Sequence, residues 1–178
     1  IALRHLANSG AVVRHPNAHM DAVRPGALMY GIADRQAGEA LPDTRQAMSV
    51  KARVVSVKRL HAGESVGYGR TFTTPRETVV AVLPIGYADG YRRVLGNRGR
   101  VLIRGGSFPV IGRVSMDLVS VLVDNPIRVG DEAVLVGSQQ GELGSGSIST
   151  WELADLCDTI PYEIWTSLGS RVERVLSN

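Results

Sequence analysis

A chain of 178 residues with 44% hydrophobic and 21% charged side chains is long enough for one full domain and part of another, with the balance of an ordinary globular protein. No apolar run approaches the roughly 20 residues a bilayer-crossing helix needs, no signal-peptide pattern opens the chain, and the single Cys157 rules out an internal disulfide; a cytoplasmic protein without membrane contacts is expected. The net charge of +3 and pI near 9.4 would suit a nucleic-acid binder, but the arginines from Arg70 to Arg104 are scattered singly or in pairs instead of forming a stripe, so no nucleic-acid partner is expected.

The chain starts at Ile1 in mid-pattern, without a cap or linker, and is expected to be part of a longer polypeptide. Residues 1–35 alternate short apolar stretches with turn signals. Ile1–Ala7 reads as a short strand, Ser9 as a helix N-cap, and Ala11–Arg14 as the start of a helix closed by Pro16. Met20–Tyr30 reads as a strand after the Arg24-Pro25-Gly26 kink. Such a strand–helix–strand rhythm belongs to α/β folds. Residues 36–46 are polar and carry breakers, hence a linker.

Beyond residue 47 the period changes to two. Val50 to Lys58 alternates with heavy β-branched content and predicts one strand. Further short runs at Thr78–Leu83, Arg100–Ile103, Phe108–Gly112, Leu118–Val123 and Glu132–Val136 are separated by Gly, Pro, Asn and Asp turns. Several short strands without intervening helices predict a mainly β domain, barrel-like or Greek-key. Gly137–Gly146 reads as a loop. Ser149-Thr150-Trp151-Glu152 is a capping-box pattern ahead of a helix to about Asp158. Pro161 starts a second short helix through Leu168, and Arg171–Leu176 reads as a last strand.

Four histidines raise the question of a metal, and His15 and His19 have i, i+4 spacing. Pro16 lies between them and disfavours helix at His15, and no Cys or carboxylate cluster completes a ligand set, so no metal is expected. Gly144–Ser149 has no Walker lysine and reads as a surface loop feeding a capped helix. Three other segments carry more chemistry. Tyr68 stands between Gly67 and Gly69, with Arg70 two residues on; such a pair of glycines permits unusual backbone angles and close approach of another chain, and a nearby arginine favours a phenolate. By itself Gly-Tyr-Gly is more often just a turn with an aromatic lid. Pro84–Tyr91 packs two tyrosines and Asp89 into one turn ahead of Arg92 and Arg93, and Gly112-Arg113-Val114-Ser115-Met116-Asp117 breaks the strand alternation with polar residues. Loops at strand ends are where sites tend to lie, but composition alone does not name a reaction.

Taken together, Ala7-Asn8-Ser9, Val23–Gly26 with Met29-Tyr30-Gly31, Val66–Gly69, Pro84–Tyr91, Gly112–Asp117 and Pro161-Tyr162-Glu163 resemble the alanine racemases in order and spacing across nearly the whole chain. Ile85-Gly86-Tyr87-Ala88-Asp89-Gly90-Tyr91 followed by Gly112–Asp117 is the most specific pair. The resemblance implies a C-terminal portion: residues 1–35 as the last strand–helix–strand part of a (β/α)8 barrel that binds pyridoxal 5'-phosphate, 36–46 as linker, and 47–178 as the β domain. It implies a homodimer that interconverts L- and D-alanine for cell-wall D-alanine, with the site shared between subunits. Ser9, Arg24, Gly26, Ala27 and Tyr162 match cofactor-binding positions, with Arg24 facing the pyridine nitrogen. Tyr68 matches the base on one face of Cα, acting on the opposite subunit's cofactor. Met116 matches the substrate carboxylate binder, and Tyr87, Arg93, Arg113 and Asp117 the passage by which substrate arrives. The family's Schiff-base lysine matches neither Lys51 nor Lys58, so the chain alone is expected to be inactive, a β domain with dimer-forming surface. A serine or broad-specificity racemase is the other reading of the parent. Pro25 departs from many relatives and removes a backbone donor between Arg24 and Gly26, with little effect expected because the matching donors follow it.

Overall fold

The computed structural model describes residues 2–32, 43–124 and 126–176 and divides into two compact units, Ile1–Met48 and Ser49–Asn178. In the first, β1 (His5–Asn8) pairs in parallel with β2 (Ala22–Arg24), and the crossover between them holds α1 (Ser9–Arg14). The cap of α1 is Asn8 and not Ser9: the Asn8 side chain accepts from Ala11 N at 3.0 Å, meeting one of the donors a helix start leaves free. The helix ends at His15, before Pro16, where the ring disfavours helical geometry in the preceding residue. Arg4 N and Nε both reach Asp21 Oδ2 at 3.0 Å, and these bonds hold the Asp21 carboxyl below its ordinary range. The strand expected after the Arg24-Pro25-Gly26 kink is absent: β2 lies before the kink and ends at Arg24, and Ala27–Tyr30 is a 3-10 turn closed by Gly31 at φ +73. Residues 36–42 of the expected linker lie outside the described residues, and 43–46 form no regular element.

The second unit is mainly β, as expected. Its strands are β3 (Val50–Arg53), β4 (Ser56–Leu60), β5 (Ser65–Val66), β6 (Phe72–Thr73), β7 (Thr78–Leu83), β8 (Arg100–Ile103), β9 (Gly106–Ile111), β10 (Val119–Val123), β11 (Glu132–Gly141) and β12 (Gly144–Ile148). The main sheet runs β12-β11-β8-β9-β10-β7-β4, with β3 also on β11, and every pair is antiparallel. The expected single strand over 50–58 is therefore two. Val54 N donates to Asp131 O at 2.9 Å while Val55 N donates to Val82 O at 2.9 Å, so this segment changes partner between Val54 and Val55. Its first half lies on β11 and its second on β7, so one continuous segment joins these two strands and closes β11-β8-β9-β10-β7 into a barrel. Both residues are valine, so the side-chain pattern carries no mark of the break.

The core lies inside this ring. Leu83, Val101, Leu102, Ile103, Val121, Ala133, Val134 and Leu135 are fully buried, and Leu153 and Ala154 of α2 (Thr150–Leu156) and Ile164 of α3 (Pro161–Thr166) join the same cluster. Leu102, in the middle of β8, has no exposed surface; replacing it with alanine is expected to cost about 2–5 kcal/mol by lost transfer energy and the cavity left behind, read as a fall in the urea midpoint with unchanged slope.

Three further expectations change. Gly137–Gly146 is not a loop but the β11–β12 hairpin, registered from Gly137↔Ile148 to Gly141↔Gly144. Glycine there serves close backbone approach: a Cβ on Gly141 would strike the Arg104 backbone. The capping box is half made. Ser149 Oγ accepts from Glu152 N at 3.1 Å, but the Glu152 carboxylate turns to Arg100, taking Nε and Nη2 at 2.7 Å each, a bidentate charge-assisted pair that outcompetes a single neutral bond. Arg171–Leu176 forms no strand; the Arg171 side chain makes ion pairs with Asp89 and Asp117.

Candidate active site

The site residues fall into one group on the first unit and three on the second. On the first, Ser9 opens α1 and its hydroxyl accepts from Gly26 N at 2.9 Å and Leu28 N at 3.3 Å. With both lone pairs engaged, the hydroxyl proton is left to donate outward. A Cβ at Gly26 would meet nothing within 4 Å, so space stands beside these donors. The N–H of Ala27, at the start of the 3-10 turn, has no hydrogen-bond partner among the described residues. Arg24 ends β2, exposed, and its Nη2 donates to Leu6 O at 3.1 Å, which steadies the guanidinium. Ser9 and Gly26 are thus brought together, with Arg24 and Ala27 beside Gly26 in the chain.

On the second unit, Tyr68 tops the turn between β5 and β6. Gly67 and Gly69 have φ of +74 and +71, the left-handed region where a side chain is strained. The turn lifts the ring out, leaving Tyr68 74% exposed. Below it, Val66 and Phe72 pack with Val80 and Ile111 in a small separate apolar cluster. The Arg113 guanidinium is placed against the turn: a Cβ on Gly69 would lie 3.2 Å from its central carbon.

Tyr87 and Met116 occupy two loops tied backbone to backbone. Tyr87 N donates to Ser115 O and Ala88 N to Met116 O, each at 3.0 Å. This fixes the Met116 peptide with its carbonyl occupied and its N–H without a partner among the described residues. Gly86 makes the contact possible, since a Cβ there would fall on the Ser115 and Met116 carbonyls. Asp89, buried, accepts from Gly86 N at 2.8 Å and from Arg171 Nε at 2.7 Å, and Arg171 Nη2 reaches Asp117 at 2.5 Å. Arg171 therefore links both loops, a role that nothing in the local sequence signals. The motif's two tyrosines part company: Tyr87 is exposed, whereas Tyr91 is a core residue whose phenol is pushed up by burial.

Tyr162 is exposed on α3, one residue from Glu163. Arg93 stands with Arg92, Cys157, Thr159 and Glu163 around a shallow cleft. Among the described residues no group of three His, Cys, Asp or Glu is placed to hold a metal, and no helix is long and apolar enough to cross a membrane. His19 Nε2 lies 2.8 Å from Val12 O, engaged with the end of α1.

Comparison with known proteins accords with this arrangement. The family model described as alanine racemase, C-terminal domain, matches residues 47–176, and that for the alanine racemase N-terminal domain matches residues 1–34. The alanine racemase of Carboxydothermus hydrogenoformans is 47% identical over 178 residues, covering 98% of this chain and 47% of that protein. The solved alanine racemase of Streptomyces coelicolor A3(2) superposes with a TM-score of 0.86 at 41% identity, over 97% of this chain and 45% of that one. That of Bartonella henselae, with covalently bound pyridoxal phosphate, gives 0.80 at 33% identity, over 95% and 45%. The chain thus spans a little under half the length of the relatives it matches.

Proposed function

From a chain that belongs to the alanine racemase family, we infer that the whole protein racemises alanine with pyridoxal phosphate, and that this chain supplies one of two proton-transfer groups and part of the cofactor site. The observation that carries the reading is Tyr68, an exposed phenol lifted between two left-handed glycines, in a chain matched by both domains of one enzyme family. Residues 1–35 are then the closing part of the cofactor barrel, 36–46 the linker and 47–178 the β domain. The protein works in the cytoplasm as a homodimer, and its product D-alanine serves the cell wall.

The residues present fit the cofactor: an outward-donating Ser9 hydroxyl, the unpartnered Ala27 N–H and open space at Gly26, whose own N–H is held by Ser9 Oγ, suit a phosphate. When bound, pyridoxal phosphate supplies the electron sink that acidifies the Cα–H bond of an amino acid. By the family resemblance, Ser9, Gly26, Ala27 and the Tyr162 hydroxyl would hold the phosphate. Arg24 would face the pyridine nitrogen and donate to it without handing over its proton, a guanidinium being a very weak acid. Tyr68 takes or returns the Cα proton on one face, and a lysine outside this chain serves the other. The free Met116 N–H binds the substrate carboxylate. Tyr87, Arg93, Arg113 and Asp117 line the approach, and the ring of Tyr68 with Tyr87 and Tyr162 favours a small side chain.

A second reading holds for the chain by itself. Its only lysines stand on barrel strands, Lys51 paired with Glu132 at 3.0 Å and Lys58 on β4, away from the cofactor-matching segments in the sequence. The isolated chain is thus an inactive β domain with dimer-forming surface. Both readings are tested by following optical rotation of L- and D-alanine, serine and lysine with the full-length protein and with this chain, each supplied with pyridoxal phosphate. Turnover of alanine above the other two by the full-length protein alone is expected. No turnover of alanine, or a preference for serine or lysine, overturns the first reading; turnover by the chain alone overturns the second.

A further inference from the structure

The Tyr68 turn is poorly held by its own strands. β5 and β6 pair at two positions only, Ser65↔Thr73 and Val66↔Phe72, and two left-handed glycines within the turn add conformational freedom. Something else must fix the ring, because a proton-transfer group works only when its oxygen sits within hydrogen-bond reach of the reacting carbon. On the N-terminal side of the turn the anchor is backbone contact: a Cβ on Gly112 would come within 2.6 Å of Val66 O, and one on Gly67 within 3.2 Å of Arg113 N. On the C-terminal side the bonds come from Asn97. Its Nδ2 donates to Thr71 Oγ1 at 3.1 Å and Thr71 O at 3.4 Å, and its Oδ1 accepts from Gly112 N at 2.6 Å.

Asn97 is itself in the left-handed region, at φ +60, which asparagine tolerates better than most residues. The preceding Gly96 lets its turn press on the same strand end, since a Cβ there would lie 2.6 Å from Gly112 O. One amide therefore ties the turn carrying Tyr68 to the segment carrying Arg113, using both its donor and its acceptor. We propose that Asn97 is a positioning residue for Tyr68, holding the far side of the 67–71 turn so that the phenol and the Arg113 guanidinium keep one mutual placement. The proposal rests on the reading of Tyr68 as a proton-transfer group.

Asn97→Asp and Asn97→Ala in the full-length enzyme separate the possibilities. Asn97→Asp keeps the acceptor for Gly112 N and the tolerance of positive φ, but turns donation to the Thr71 carbonyl into repulsion between oxygens and forces the Thr71 hydroxyl to reverse its role from acceptor to donor. It is expected to leave the melting temperature within about 2 °C of wild type and to lower kcat about 10- to 100-fold with KM for alanine changed less than about threefold. The Cα-deuterium isotope effect on kcat rises for one enantiomer, the one whose proton Tyr68 removes, and not for the other. Asn97→Ala shows the same asymmetry, with a lower melting temperature. A wild-type kcat in Asn97→Asp, or isotope effects that rise equally for both enantiomers, overturns the positioning role. If Tyr68→Phe itself racemises at the wild-type rate, the reading of Tyr68 fails instead, whatever Asn97 does.

Discussion

Replacing Tyr68 by phenylalanine in the full-length protein is expected to lower alanine racemisation about 10²- to 10⁴-fold, the range for losing a positioned acid–base group. The loss appears in both directions, because the hydroxyl that takes the Cα proton from one enantiomer returns it to form that enantiomer in reverse. Stability serves as the internal control. Tyr68 is 74% exposed and its hydroxyl has no hydrogen-bond partner among the described residues, so the substitution should move unfolding by less than about 0.5 kcal/mol. Rate loss without stability loss assigns the phenol to chemistry. A variant that keeps the wild-type rate in both directions removes Tyr68 from the mechanism.

The second large effect is structural at its origin. Gly86 is buried, and its missing Cβ is the room into which the Ser115 and Met116 carbonyls fit. Its φ of −149 is extended, so alanine there is strained by contact and not by backbone angle. Both colliding atoms are backbone and cannot rotate away. Gly86→Ala must part the two loops and loosen the Tyr87–Ser115 and Ala88–Met116 hydrogen bonds, at an expected cost of about 3 kcal/mol from overpacking and lost bonds. Urea unfolding measures the cost. Kinetics should show a raised KM for alanine, because the Met116 peptide is no longer presented in one orientation. Stability within about 0.5 kcal/mol of wild type together with an unchanged KM would show that the loops are not locked in this way.

Much of this was legible in sequence, for physical reasons that differ by residue. β7 and β8 occupy the residues expected from their apolar, β-branched runs, because burial and strand propensity agree there. The Tyr68 turn was visible because two glycines flank one aromatic, a pattern that packing alone seldom requires. The β11–β12 hairpin was hidden because glycine and serine have little strand propensity of their own; the pairing is set by continuation of a strong apolar strand. The cap of α1 was placed one residue late, since Asn8 and Ser9 are both good caps and only the fold assigns the Ser9 hydroxyl to Gly26 and Leu28. Arg171 and Asn97 act on partners distant in the chain, so no local spacing reveals them.

The partner change at Val54–Val55 has a consequence for association. A sheet whose two ends are joined by one chain segment leaves the strands of its ring no unpaired backbone row, so none of them offers another chain a strand to extend. The β12 strand lies outside that ring; there Arg100 Nη2 already takes the Ser147 carbonyl at 2.8 Å, and a charged side chain on a short Gly/Ser strand makes a poor template for further pairing. Contacts made by the ring strands are then side-chain contacts, where specificity resides in shape and not in main-chain hydrogen bonds. Tyr68, Tyr87 and Met116 stand exposed on loops outside the ring strands, so the residues proposed for chemistry are also residues open to contact.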